Sequence, residues 1–364
     1  MPTGIGVIGA GNISDRYLTN LVTYPQLRVE FVADLVLERA RAQAEKYGIG
    51  AWGSVGELLD RDDVEIVVNL TIPQAHVPVA LDCLSAGKHV WNEKPIATSR
   101  AEGQQLLAAC AASGLRAATA PDTFLGPGVQ LARRLIEEGR VGAPRAAALA
   151  FQSPGPDAWH PAPAFLFQHG AGPLLDMGPY YVTALVQLFG PVSSVSAIAT
   201  RFRDVRTIGA GPHAGTAFDV TVPTYVSAHL RLESGQIAQL LVTFDSHIAR
   251  TQFEIYGTDG AITVPDPDRN GGELIVHTTG GTQVIDTGSA DNLRGRGVVE
   301  LAEAIREGRS ERASATQAYH VLDVLTCVAE AADTGQVVAV TSTFERAPRL
   351  PNDWPLPDTS GDHR

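Results

Sequence analysis

The sequence predicts an α/β protein: an N-terminal doubly wound parallel sheet, then an α+β domain with a large, mostly antiparallel open sheet. Three observations predict it. Over the first 120 residues, short apolar runs alternate with amphipathic stretches; a glycine-rich turn joins the first run to the first such stretch; and beyond Pro121 strand-like runs follow one another directly. Strands separated by helices form βαβ units, whereas strands joined by turns pair antiparallel.

Taken in order, Ile5–Ile8, Arg28–Ala33, Glu65–Leu70, His89–Asn92 and Arg116–Ala120 read as strands apolar enough to be covered on both faces. Ile13–Leu21, Leu37–Tyr47, Ala75–Ala86 and Arg100–Ala112 read as the helices between them, on spacings such as Ile13, Tyr17, Leu21. Gly48, Gly87 and Gly114 follow three of these helices, where a C-terminal cap favours glycine. Leu125–Glu138 then reads as a helix, Arg145–Gln152 as a strand, Pro154–Phe167 as a loop and Gly172–Leu188 as one apolar helix. Strand-like runs follow at Val192–Phe202, Thr221–Leu232, Ile237–Ser246, Thr251–Tyr256, Ile262–Val264, Glu273–Thr278 and Thr282–Asp286. Val298–Glu307 and Thr316–Thr334 close the series as helices.

A chain of 364 residues exceeds the size at which one core stops growing, so two domains are expected, 1–121 and 122–345, with a polar tail over 346–364. Lys plus Arg is 28 against 40 Asp plus Glu, a net charge of −12 that repels phosphate backbones and argues against nucleic acid as a partner. No apolar run is long enough to span a membrane, and the chain opens on a buried-strand pattern that leaves no room for a leader. Cys83, Cys110 and Cys327 lie far apart in apolar stretches and read as core thiols, with neither a disulfide frame nor a metal site. A cytoplasmic protein is the expectation.

Three motifs carry chemistry. Gly9-Ala10-Gly11-Asn12-Ile13-Ser14 leaves the first strand and opens the first helix. Gly9 permits the tight turn, Gly11 lets a pyrophosphate approach the backbone at Asn12 and Ile13, and Ser14 is small enough for helix and strand to pack closely. Asp34 ends the second strand, where a carboxylate would bind the adenosine ribose of a dinucleotide. This is a Rossmann fingerprint. Leu35 offers no cation to a 2′-phosphate, so NAD is favoured over NADP, although Arg39 and Arg41 keep the second open.

Glu93-Lys94-Pro95 follows the strand His89–Asn92, at the end of a parallel sheet where ligands bind. The chain has three lysines, Lys46, Lys88 and Lys94, and proline restrains the backbone that aims the last of them. In the second domain Asp176 and Tyr180 stand four apart, hence on one face of the expected helix, with Gly178 between them. Trp159-His160 on the preceding loop pairs an aromatic face with a hydrogen-bonding imidazole, as sugar sites do, or is simply a packed loop.

Together these motifs resemble the Gfo/Idh/MocA oxidoreductases, named for glucose-fructose oxidoreductase and inositol dehydrogenase, over residues 3 to about 345. Thr71-Ile72-Pro73 with His76, and Gly139-Arg140-Val141-Gly142, extend the resemblance. It implies NAD(P)-dependent hydride transfer at a secondary alcohol or ketone of a sugar or cyclitol. Lys94, Asp176 and Tyr180 would be catalytic, with Lys94, Asp176, Tyr180, Trp159 and His160 lining the substrate. Gly9, Gly11, Asn12, Ile13, Asp34, Thr71, Pro73, His76, Glu93 and Lys94 would face the cofactor. The family associates through the outer face of its second sheet, which implies a homodimer or homotetramer. Tyr180 stands where the inositol dehydrogenase branch has histidine, and Pro121–Pro127 replaces the family's usual tyrosine-and-arginine segment. Two rival functions share the fold: a glycosidase working by transient oxidation of the sugar, and a non-catalytic regulator that keeps the dinucleotide.

Overall fold

The computed structural model describes residues 1–288, 294–352 and 354; the expected tail therefore lies largely outside the described residues. The chain forms two compact units, Met1–Leu125 with Asn292–Ala318 and Ala347–Arg364, and Gly126–Asp291 with Tyr319–Arg346.

The first unit is the doubly wound domain. Strands β1 (Thr3–Ile8), β2 (Leu27–Ala33), β3 (Trp52–Gly53), β4 (Ile66–Asn69), β5 (His89–Asn92) and β6 (Ala117–Thr119) form an all-parallel sheet in the order β3-β2-β1-β4-β5-β6. Helices α1 (Asn12–Leu21), α2 (Leu37–Tyr47), α3 (Val55–Leu59), α4 (His76–Ser85) and α5 (Arg100–Ser113) connect the strands. All four residues of β4 are buried, as covered faces require. Gly48, Gly87 and Gly114 all take positive φ. The order reverses between β1 and β4, and at such a switch point a crevice opens beyond the carboxyl ends of the strands.

Two elements here escaped sequence reading. Strand β3 has two residues and α3 five, too few for periodicity to register. A signal for α3 was present, however: Ser54 and Glu57 form a reciprocal capping box, the Ser-x-x-Glu signature of a helix start.

The second unit opens with α6 (Pro127–Glu137) and β7 (Pro144–Gln152), then α7 (Gly172–Asp176) and α8 (Gly178–Phe189). Next come β8 (Val192–Thr200), a small hairpin of β9 (Val205–Thr207) and β10 (Ala217–Asp219), and β11 (Tyr225–Leu232), β12 (Ile237–Thr243), β13 (Arg250–Gly257), β14 (Gly260–Thr263), β15 (Glu273–Thr278) and β16 (Gly281–Asp286). Helix α9 (Arg296–Glu307) belongs by its contacts to the first unit, and α10 (Ala315–Thr334) leads back to the second, where β17 (Val338–Ala339) ends the sheet. The nine strands run β16-β15-β14-β13-β7-β12-β11-β8-β17, antiparallel except for β7 beside β12. In β11 Val226, Ala228, Leu230 and Leu232 are buried while His229 and Arg231 are exposed, the alternation of a sheet covered on one face.

The single helix expected over Gly172–Leu188 is two helices. Pro179 lacks the N–H that would continue the ladder, so α7 stops at Asp176 and α8 restarts at Gly178. Asp176 and Tyr180 therefore flank a break and do not share one uninterrupted helical face.

His320 on α10 gives this unit a pH dependence. Its Nε2 accepts from Val192 N–H (3.0 Å) and its Nδ1 faces the Ser342 carbonyl (3.0 Å), so the neutral ring is fully used. Burial lowers its pKa below the ordinary 6.5. The unfolded chain then takes up a proton that the folded chain refuses. Its stabilising contribution is complete above about pH 6.5 and is lost on acidification below it. Melting temperature followed from about pH 7 to 5 is expected to fall more steeply in the wild type than in His320→Gln. Parallel curves would exclude this residue as the source.

Candidate active site

In the first unit, every segment nominated for the dinucleotide leaves the carboxyl end of one of four neighbouring strands: β2, β1, β4 and β5. Gly9–Gly11 follows β1, Asp34 follows β2, Thr71–Pro73 follows β4 and Glu93–Lys94 follows β5. Parallel strands bring together there what the sequence separates by up to 85 residues, counted from Gly9 to Lys94.

Gly9 has φ +101°, and a Cβ there would lie 2.7 Å from the Leu70 carbonyl oxygen, so no other residue fits. A Cβ on Gly11 would meet nothing within 4 Å, which leaves its backbone open to an approaching group. Helix α1 starts at Asn12 with no side chain capping its first turn, so its leading N–H groups are placed for an anion. Ser14 is buried and its hydroxyl donates to Gly11 O (2.6 Å), which is how a serine serves where the fingerprint prefers glycine or alanine. Asp34 is held by both oxygens: Oδ2 accepts from Ala10 N–H (2.7 Å) and Oδ1 from Val36 N–H (2.8 Å). The carboxylate is thereby fixed beside the glycine turn. These residues fit a dinucleotide: a bare helix end and an open backbone for the pyrophosphate, and a carboxylate for a ribose.

The Glu93-Lys94-Pro95 segment is pinned on both sides of the lysine. Glu93 Oε2 accepts from Lys94 N–H (2.9 Å), while Glu93 Oε1 accepts from the Tyr17 hydroxyl (2.7 Å). Trp91 Nε1–H in turn donates to the Tyr17 oxygen (3.1 Å). Burial, then the Glu93 charge, push the Tyr17 phenol well above its ordinary range, so it remains a donor. Beyond the lysine, the Lys94-Pro95 peptide is cis and Pro95 O lies 2.7 Å from His76 Nδ1. His76 Nε2 lies 3.0 Å from Thr71 O, and the ring is buried. Glu93 and His76, both nominated as cofactor contacts, thus spend these atoms on backbone and on Tyr17. These bonds help to hold Thr71 and the Lys94 backbone in place.

Asp122, in the segment that departs from the family pattern, is fully buried and caps α9: its Oδ2 accepts from Gly295 N–H (2.8 Å) and Gly297 N–H (3.1 Å). Burial raises its pKa, against the pull of Arg294. No local pattern announces a cap 173 residues from its helix. Tyr17 was missed for a similar reason, because on the stripe of α1 it reads as core.

In the second unit, Asp176 ends α7 and Tyr180 lies in the first turn of α8, both half-buried. His160 forms edge-on pairs with Trp159 on one side and Phe165 on the other, at ring-centre distances of 5.6 Å in each case. His160 Nδ1 accepts from Ala162 N–H (3.0 Å), which leaves Nε2 to carry the neutral ring's proton.

A family model described as "Oxidoreductase family, NAD-binding Rossmann fold" matches residues 3–120, and one described as "GFO/IDH/MocA C-terminal domain" matches residues 129–263. The chain is 33% identical to trans-1,2-dihydrobenzene-1,2-diol dehydrogenase of Mus musculus over 51% of its own length and 56% of that enzyme's. It is 27% identical to 1,5-anhydro-D-fructose reductase of Ensifer adhaerens over 71% of this chain and 74% of the other. Among solved structures, levoglucosan dehydrogenase in complex with NADH and L-sorbose superposes with TM-score 0.81 at 23% identity, covering 94% of this chain and all of that one. That likeness establishes the fold.

Proposed function

Because this chain belongs to the GFO/IDH/MocA oxidoreductase family, we propose that it transfers hydride between a nicotinamide dinucleotide and a secondary alcohol or ketone of a sugar, cyclitol or related ring. The observation that carries the reading is Asp34, anchored to the glycine turn beside an uncapped helix N-terminus. The relatives named above act on cyclic diols and anhydrosugars by their names, which supports the substrate class. We assign dinucleotide binding to residues 1–121, and substrate binding and self-association to 122–345, with 346–364 a tail.

The nicotinamide, when bound, supplies the hydride acceptor or donor. The chain supplies the proton chemistry. Tyr180 takes the hydroxyl proton of the alcohol, its phenolate favoured by the Lys94 ammonium, and returns it in the reductive direction. Lys94 also stabilises charge developing on the alkoxide oxygen, and Asp176 orients the substrate and the lysine. Exposed Ile198 and Ile237 on the uncovered face of the large sheet support a homodimer or homotetramer formed through that face. Cys83, Cys110 and Cys327 are free thiols, in keeping with a cytoplasmic enzyme. Among the described residues no helix is long and apolar enough to cross a membrane.

NAD is the proposed partner in preference to NADP. The Asp34 carboxylate would accept from a ribose hydroxyl and repel a 2′-phosphate. Leu35 beside it is 95% exposed, and Arg41 is ion-paired with Glu45 (2.7 Å). Asp34→Ser is expected to lower the NAD-over-NADP ratio of kcat/KM by about tenfold or more. Reduced-cofactor absorbance with each dinucleotide and a panel of monosaccharides, cyclitols and anhydrosugars tests both statements. Net NADH formation supports a dehydrogenase; glycoside cleavage with no NADH accumulating would favour the glycosidase reading instead.

A further inference from the structure

The loop carrying Trp159 and His160 is braced by one buried arginine on the β9–β10 hairpin, a residue that no motif singled out. The Arg206 side chain is 2% exposed. Its Nη1 donates to Pro154 O (2.9 Å) and Asp157 Oδ1 (2.6 Å), and its Nη2 to Phe244 O (2.6 Å) and Asp245 Oδ1 (2.6 Å). The guanidinium also lies 4.8 Å from the centre of the Phe167 ring. One side chain therefore touches both ends of the loop, Pro154 and Phe167, and its first turn at Asp157. The hairpin adds backbone bonds of its own: Gly209 N–H donates to Asp157 O (2.8 Å), and just past β10 Thr221 N–H donates to Phe167 O (2.9 Å). The far side of the clamp is closed by Thr224, whose hydroxyl donates to Asp245 Oδ2.

Burying a guanidinium between two carboxylates costs several kcal/mol of desolvation before any pairing is regained. What this anchor displays is the aromatic trio. Trp159 is 67% exposed and Phe165 58%. The turn Ala164–Phe167 that carries Phe165 packs against α7, the helix that ends in Asp176.

We propose that Arg206 is a positioning residue and that it sets the Trp159–His160–Phe165 trio as a recognition shelf for a cyclic substrate with a face of C–H bonds. The trio makes the protein select ring alcohols over open-chain polyols. Aromatic faces take up C–H surfaces, and the Nε2–H of His160 offers a donor to a ring hydroxyl. The proposal rests on the redox reading above for the fate of the bound ring, but ring binding itself does not.

The test uses the full chain with levoglucosan and myo-inositol as rings and sorbitol as the open-chain control, reading binding by calorimetry and turnover by NADH formation. Trp159→Ala is expected to raise KM and Kd for the rings about tenfold with kcat little changed, the mark of binding shared by ground and transition states. Asp157→Asn, which weakens the loop-facing half of the clamp and leaves Asp245 paired, is expected to raise them about fivefold, with NADH affinity unchanged. Arg206→Lys is expected to fall between wild type and Arg206→Ala. Melting curves show which variants fold. Unchanged ring binding in folded Trp159→Ala and Asp157→Asn would overturn the shelf, as would equal wild-type binding of sorbitol and the rings. Rings that bind with the expected selectivity yet yield no NADH would support the shelf and count against the redox reading alone.

Discussion

Lys94→Met is expected to lower kcat by about 10³-fold, far more than it weakens NADH binding. Methionine keeps most of the apolar stem and removes the ammonium, with its charge and its N–H donors. That charge does two things in the proposed chemistry, stabilising the alkoxide and favouring the Tyr180 phenolate, so its loss exceeds that of either effect alone. The backbone around it is held independently of the ammonium, by Glu93 on one side and His76 on the other, so the variant keeps its fold. Tyr180→Phe removes the proton acceptor only and is expected to cost about 10²-fold. Lys46→Met is the control: Lys46 pairs with Asp15 at the surface (2.7 Å), and its loss leaves turnover unchanged. Single-turnover kinetics with NADH affinity measured in parallel decide the matter. Near wild-type turnover in Lys94→Met would remove the lysine from the mechanism.

Trp91→Ala is expected to destabilise the first unit by about 3–5 kcal/mol, the loss seen when a large buried aromatic ring leaves a cavity. Trp91 sits on β5 with no exposed surface, and α9 comes so close that a Cβ on Gly297 would overlap its ring. Only glycine permits that approach. Gly297→Ala is accordingly expected to destabilise as well, by about 1–3 kcal/mol of overpacking. Trp91→Phe separates packing from positioning. It restores most of the volume but not the Nε1–H that fixes Tyr17, so much of the stability returns while Glu93 and the Lys94 backbone lose one support. Urea denaturation of the three variants measures the packing, and kcat of Trp91→Phe the positioning. A cost below about 1 kcal/mol in Trp91→Ala would mean that α9 and β5 repack.

Much of this was legible in the residues. Strand β5 and helix α2 match their expected limits, His89–Asn92 and Leu37–Tyr47, because each is bounded by a turn signal and carries one clear period. The glycine turn and Asp34 were legible because the requirement for positive φ at Gly9 and the placing of a carboxylate at a strand end are local facts. The two-helix form of Gly172–Phe189 was legible too, in Pro179, but the apolar run concealed it. The helix that Asp122 caps, the Tyr17 that holds Glu93 and the Arg206 that braces its loop were not legible. Each joins segments far apart in the chain, and each looks locally like core or surface.

From residue order alone came the alternation of strands and helices, the dinucleotide fingerprint, the lysine, aspartate and tyrosine proposed for catalysis, and the family. Folding alone decided which atoms those residues have to spare. Glu93 and His76, nominated as cofactor contacts, also brace Tyr17, Thr71 and the Lys94 backbone, because hydrogen-bond partners are assigned by distance in space. Periodicity reports which face of an element is buried; it carries no record of what lies against that face.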